Sequence, residues 1–247
     1  MQVLLTVAYD GTSYAGWQRQ ANSITVQEKI EDALTQLLGR AVSTRASSRT
    51  DAGVHALGQR VTFNAPDLRI PIEKLPTVLV GLLPTDISVL AAEVVTDDFH
   101  VQYHTKYKTY EYNIYSAPCP NPLNRRYSAF VPREINVDAM KKAAKFFVGS
   151  HDFAGFCAVG GSAKTTVREI FDCSVRESNN MVTLSITGSG FLYNMVRIIA
   201  GTVLYVGLGK INPDNIPEII KSCDRKRAGK TMPPEGLTLK EVFYENQ

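Results

Sequence analysis

One stretch of the chain carries residues whose types and spacing could do chemistry: Ser47-Ser48-Arg49-Thr50-Asp51-Ala52-Gly53-Val54-His55-Ala56. An arginine and an acid stand two positions apart in it. In an extended segment, positions i and i+2 project to one face, so Arg49 and Asp51 are expected to share a pocket. A guanidinium beside a carboxylate favours its charged form. Asp51 would then be an anion, ready to act as a nucleophile or a base. Small and turn-forming residues dominate the stretch. Ala41-Val42-Ser43-Thr44 precedes it and the alternating Gln59-Arg60-Val61-Thr62-Phe63 follows, so it reads as a loop between strands. On composition alone a plain surface turn is the commoner meaning of such a loop.

A second candidate is Arg197, in the apolar run Phe191 to Val206. That run has the length and pattern of a buried helix, and the arginine falls one to two turns into it. A buried arginine requires a carboxylate or phosphate partner, whereas one at the helix rim requires none. Gly188-Ser189-Gly190 before the helix fits an anion site or an ordinary helix-entry turn. The cysteines Cys119, Cys157, Cys173 and Cys223 form no CxxC pair and the chain is long, so neither a disulfide framework nor a zinc site is suggested. His100 and His104 are four apart but lack the adjacent glutamate of a metalloprotease helix, so no metal site is expected.

The elements that must hold these residues follow from periodicity. Residues 2–9 alternate as a strand. Thr25 with Glu28 forms a capping box ahead of Val26, Ile30, Ala33, Leu34, Leu37 and Leu38, and Gly39 ends that helix. A strand before the loop, a strand over 57–64, a helix from Pro71 to about Leu83 and a strand over 87–95 complete β-α-β-β-α-β, the ferredoxin-like order. The second half repeats it. Thr109–Tyr115 is a strand, 121–133 a loop, and 138–147 a helix capped by Asn136 or Asp138. Strands over 165–176 and 181–187 join at Ser178-Asn179-Asn180. The apolar helix, a short helix near 216–222 and a strand over 239–244 follow. The expected class is α+β: two tandem ferredoxin-like halves, 1–102 and 103–247, sharing a mixed, mainly antiparallel sheet with a cleft between them.

The chain of 247 residues is 44% hydrophobic and 21% charged, which fits a globular protein and excludes a disordered one. No run approaches the roughly 20 apolar residues of a membrane span, and the first residues read as a strand rather than a signal peptide, so a cytoplasmic protein is expected. The net charge of +3 says little by itself. Its distribution says more: Lys106, Lys108 and Arg125-Arg126 are interleaved with Tyr103, Tyr107, Tyr110, Tyr112, Tyr115 and Tyr127. Cations that grip phosphates and rings that stack on bases suit a nucleic-acid partner. Lys141, Lys142 and Lys145 read better as a solvated helix face.

Ser48 to Ala56 resembles the signature of the tRNA pseudouridine synthase A family. The likeness runs along nearly the whole chain: Tyr9-Asp10-Gly11-Thr12, Gly16-Trp17-Gln18-Arg19-Gln20, Thr25-Val26-Gln27, Lys108-Thr109-Tyr110-Glu111-Tyr112, Phe191 to Arg197 with Ala200-Gly201-Thr202, and Pro233-Pro234-Glu235-Gly236-Leu237. Ser48 departs from it, since many members carry glycine there. The resemblance implies an enzyme that isomerises uridine to pseudouridine at positions 38, 39 and 40 of the tRNA anticodon stem-loop. It implies a homodimer without cofactor or metal. Asp51 would be the nucleophile, at C6 of the base or C1′ of the sugar. Arg49 and Arg197 would hold Asp51 or flanking phosphate, and Tyr110 would pack on the flipped uracil. Lys106, Arg125, Arg126, Lys164 and Arg168 are further candidates to grip tRNA. The rival reading is a non-catalytic RNA-binding protein of ferredoxin-like domains, which has no need of an acid facing phosphates. A hydrolase would need a second carboxylate in matching context, and none stands out.

Overall fold

A computed structural model describes residues 1–161 and 163–245. The chain divides into two compact units, 1–106 with 239–247, and 107–238. Residues 239–245 thus group with the first unit, although a linear reading places them with the second half.

In the first unit, β1 (Gln2–Tyr9) leads to α1 (Val26–Leu38). Thr25 Oγ1 accepts the Glu28 N–H (3.3 Å), and Gly39 closes the helix in the left-handed region at φ 65°. β2 is only Arg45–Ala46, paired with Thr62 and Val61 of β3 (His55–Asn64). The strand expected over 41–44 is displaced because α1 takes its donors. Thr44 N–H and hydroxyl both go to Glu31 Oε1 (2.9 and 3.1 Å), and Val42 N–H goes to Thr35 Oγ1 (3.2 Å). α2 covers Leu75–Val80, after a 3-10 turn at 72–74. Pro76 therefore falls in the first helical turn, where its missing N–H costs nothing. β4 (Ile87–Val95) pairs with β1, giving β4-β1-β3 with β2 also on β3, all antiparallel. That is the order of a split β-α-β unit. Val3, Leu5, Val7, Ile30, Leu34, Leu75 and Leu79 are buried to within 1% of full burial. Each such side chain contributes about 1.5–3 kcal/mol.

The second unit takes up the chain within β5 (Thr105–Ser116). β6 (Ala129–Val131) lies parallel to β5, inside the segment expected to be loop. α3 (Val137–Lys145) is capped by Asn136, whose Oδ1 accepts Ala139 N–H (2.9 Å). β7 (Gly149–Asp152) is too polar to announce itself and serves as an edge strand on β8 (Val167–Ser178). β8 turns into β9 (Met181–Gly188) through Asn179 and Asn180, at φ 50° and 64°, the backbone a two-residue hairpin requires. The order is β5-β9-β8-β7.

α4 spans Met195–Gly207, and every residue in it is buried except Arg197 and Tyr205. It starts later than the apolar run because Asn194 adopts a left-handed conformation (φ 60°) and ends the preceding turn. Arg197 therefore lies in the first helical turn, not one to two turns in. α5 (Ile216–Ser222) and β10 (Leu237–Tyr244) follow. β10 returns to the first unit beside β3. The fold is α+β and mainly antiparallel.

Candidate active site

The loop that carries Asp51 is pinned through its neighbour. Thr50 is buried, and its hydroxyl meets the Tyr9 hydroxyl at 2.7 Å. Its carbonyl accepts the Trp17 N–H at 3.0 Å. Trp17 carbonyl in turn accepts Gln27 N–H (3.0 Å), so one buried residue ties the loop to the first turn of α1. Further along, Gly53 N–H reaches Tyr14 carbonyl (3.3 Å) and Val54 N–H closes a turn on Asp51 carbonyl (3.1 Å). On the other side, Gln59 Nε2 donates to Ser48 carbonyl (2.8 Å), and Ser47 hydroxyl donates to Gln59 Oε1 (2.9 Å). A loop held at each backbone corner presents a half-buried carboxylate with little freedom to move.

Burial alternates across Arg49, Thr50 and Asp51: exposed, buried, half-buried. Arg49 forms no ion pair with Asp51, and among the described residues its side chain has no hydrogen-bond partner at all. The shared pocket expected for the pair is replaced by a guanidinium open to solvent, which suits a phosphate. Ser48 is compatible with this loop. Positive φ outside glycine is confined, among the described residues, to Asn179, Asn180, Asn194 and Cys223, so position 48 does not demand glycine.

Tyr110 and Arg197 belong to the second unit. Tyr110 is 7% exposed on β5, opposite Ile186 of β9, with its ring edge-on to Phe191 (centroids 5.2 Å apart, planes at 85°). Lys108 and Tyr112 share its face of the strand at i−2 and i+2. Burial pushes the Lys108 ammonium down to about 8. Burial, with the Glu235 charge added, raises the Tyr112 phenol well above its ordinary value. Tyr112 hydroxyl donates to Pro233 carbonyl (2.7 Å). Arg197 Nε donates to Met232 carbonyl (2.7 Å) and Nη1 to Asn194 Oδ1 (2.6 Å), so its guanidinium plane is fixed by two neighbours. Lys108 was legible only as one cation among several. Its place two residues before Tyr110 in an alternating strand was the signal for a desolvated charge.

Of the remaining cations, Lys141 pairs with Asp138 (3.0 Å) and Lys142 with Asp214 (2.7 Å), as befits a solvated helix face. Lys106 pairs with Glu245 (2.9 Å), and Arg168 Nη1 donates to Thr165 carbonyl (3.0 Å). Among the described residues no helix is long and apolar enough to cross a membrane, and no three metal-ligating side chains come together.

Residues 5–104 and 143–245 match the family model described as tRNA pseudouridine synthase. The chain belongs to the tRNA pseudouridine synthase family. Curated relatives named tRNA pseudouridine synthase A agree. That of Ruminiclostridium cellulolyticum is 48% identical over 98% of this chain and 99% of its own length. Those of Caldicellulosiruptor saccharolyticus and Geotalea uraniireducens are 47% and 46% identical over the same shares. A chain from a solved Cbf5-Nop10-Gar1 complex aligns at TM-score 0.40 and 12% identity, over 98% of this chain and 50% of that one, a likeness too slight to argue from. As a tRNA pseudouridine synthase the protein is an isomerase acting on tRNA. That disposes of the non-catalytic RNA-binding reading.

Proposed function

We propose that this synthase isomerises uridine at positions 38, 39 and 40 of the tRNA anticodon stem-loop, with Asp51 as the nucleophile. The observation that carries the reading is a half-buried carboxylate on a loop fixed through Thr50 by Tyr9 and Trp17. A nucleophile gains most when its approach is set before the substrate arrives. The target uridine is stacked and out of reach, so it must be flipped out, at a cost of a few kcal/mol. Asp51 adds to C6 of the base or to C1′ of the sugar, the bond from C1′ to N1 breaks, the uracil turns, and C1′ joins C5. The bond to Asp51 breaks, as C1′ joins C5 on the sugar route or by elimination from C6 on the base route, and the carboxylate is restored. The C5 proton leaves and N1 ends protonated, so atoms balance without a redox partner.

In this reading Arg49, exposed and without a partner among the described residues, holds a flanking phosphate. Arg197, its plane set by Met232 and Asn194, orients an anionic group. Tyr110 packs on the flipped uracil and assists loss of the C5 proton. The resemblance of the motifs further supports a cytoplasmic homodimer that needs no cofactor or metal. The test is to map pseudouridine in tRNA from a strain lacking the protein. Loss confined to positions 38–40 is expected; loss elsewhere, with those positions intact, overturns the assignment.

A further inference from the structure

We infer that residues 229–232 form a strap across α4 that sets the Arg197 side chain, and that Gly201 and Thr202 are positioning residues for it. The inference rests on the role just given to Arg197. Gly201 lies four residues beyond Arg197, one turn along the same helical face. A Cβ there would collide with the Lys230 carbonyl oxygen, and a Cβ on Gly229 would collide with the backbone of Gly201 and Thr202. Two glycines therefore let backbone lie directly on backbone. Thr202 fixes the register: its hydroxyl accepts Gly229 N–H (2.8 Å) and donates to Ile198 carbonyl (2.8 Å), and the residue is fully buried. From the other side Arg225 holds the strap, through Nη1 to Gly229 carbonyl (2.8 Å) and Nη2 to Thr231 Oγ1 (3.0 Å).

Held this way, the strap ends at Met232, which makes a reciprocal pair with Arg197. Met232 N–H donates to Arg197 carbonyl (3.1 Å), and Arg197 Nε donates to Met232 carbonyl (2.7 Å). The next residue, Pro233, accepts the Tyr112 hydroxyl, two positions from Tyr110 on β5. One segment thus references the guanidinium to both α4 and the strand of Tyr110. Any shift at Gly201 reaches the Arg197 Nε acceptor three residues after Gly229, with no contact to substrate of its own.

The experiment compares Gly201→Ala, Thr202→Val and Thr202→Ser, each with Arg197 intact and with Arg197→Lys, in pseudouridine formation on a tRNA transcript. Expected in Gly201→Ala and Thr202→Val is a kcat lower by about 100-fold. KM should stay within about threefold, Thr202→Ser should recover, and less than about threefold should be lost when either is added to Arg197→Lys. Faster amide exchange at Gly229 and Met232 reports the displaced strap independently of activity. A folded Gly201→Ala with unchanged kcat, or equal fold-losses with and without Arg197→Lys, overturns the inference. If Gly201→Ala fails to fold, the Thr202 pair decides by the same criterion. Full activity of Arg197→Ala would remove the role of Arg197 and the inference with it. An inactive Arg197→Ala beside a fully active Gly201→Ala would overturn the inference alone.

Discussion

Replacing Gly16 with alanine should move the Asp51 loop without touching it chemically. Gly16 sits at φ +99°, and a Cβ there would stand 2.7 Å from Thr50 carbonyl oxygen and 3.2 Å from both Ala52 nitrogen and Asp51 carbonyl carbon. Gly39 is the matched control, because it too has positive φ (+65°) but nothing lies within 4 Å of its Cβ position. Gly39→Ala should cost only the conformational term, about 1–2 kcal/mol. Gly16→Ala adds an overpacking term of about 1–3 kcal/mol, for a total of about 2–5 kcal/mol if the two terms add. Relief must come from the loop backbone at 50–52, by several tenths of an ångström, since no flexible side chain is the obstacle. A misplacement of that size at a nucleophile lowers turnover by about 10- to 100-fold. Urea unfolding gives the stability difference, and single-turnover pseudouridine formation on a saturating tRNA transcript gives the rate. Gly39→Ala should keep the wild-type rate. A folded Gly16→Ala enzyme with wild-type turnover would refute the reasoning, because the loop position would then not matter to the chemistry.

Other consequences are checked as directly. Glu31, 6% exposed, accepts from Arg19 Nη1, Gln27 Nε2, Thr44 N–H and Thr44 hydroxyl at 2.9–3.1 Å. Glu31→Ala should destabilise by about 3 kcal/mol in urea unfolding, by leaving buried donors unmet; a change within about 0.5 kcal/mol, typical of a surface site, would contradict this. Lys108 is lowered by burial from 10.5 to about 8, so between those pH values the unfolded chain binds a proton the folded chain has shed, and stability rises with pH. Lys108→Met should thus be more stable than wild type at pH 7, by up to about 3 kcal/mol, with the gap closing by pH 10; a pH-independent gap would count against it. Tyr110→Phe should keep the packing on Phe191 but slow tritium release from C5-labelled tRNA, and an unchanged rate would reduce Tyr110 to a stacking residue.

What could be read from the chain was what local chemistry decides. The Thr25 cap with Glu28 and the Gly39 stop bracket α1 as expected, and Asn179-Asn180 marks its hairpin, because capping and turn preferences act within a few residues. The displaced β2 depends on Glu31, thirteen positions before Thr44, and no local pattern reveals that a helix side chain takes a strand's donors. α4 starts at Met195 rather than 191 because Phe191 and Leu192 are as apolar as the helix, and only the backbone of Asn194 separates them. Asp51 stood out by its spacing from Arg49. The exposure of that arginine did not, since i and i+2 fix a side of the chain and not a depth. Trp17 holds the loop by its backbone, and Gly201 seats the 229–232 strap on α4 by lacking a side chain, so neither leaves a periodic trace.

The measurement that bears most directly on the central claim is multiple turnover by Asp51→Ala, with tRNA affinity measured on the same preparation. Affinity should stay near wild type, because phosphate contacts supply most of it, while turnover falls by at least about 10⁴-fold. An alanine enzyme that continues to convert many equivalents of tRNA would contradict the assignment of Asp51 as the nucleophile.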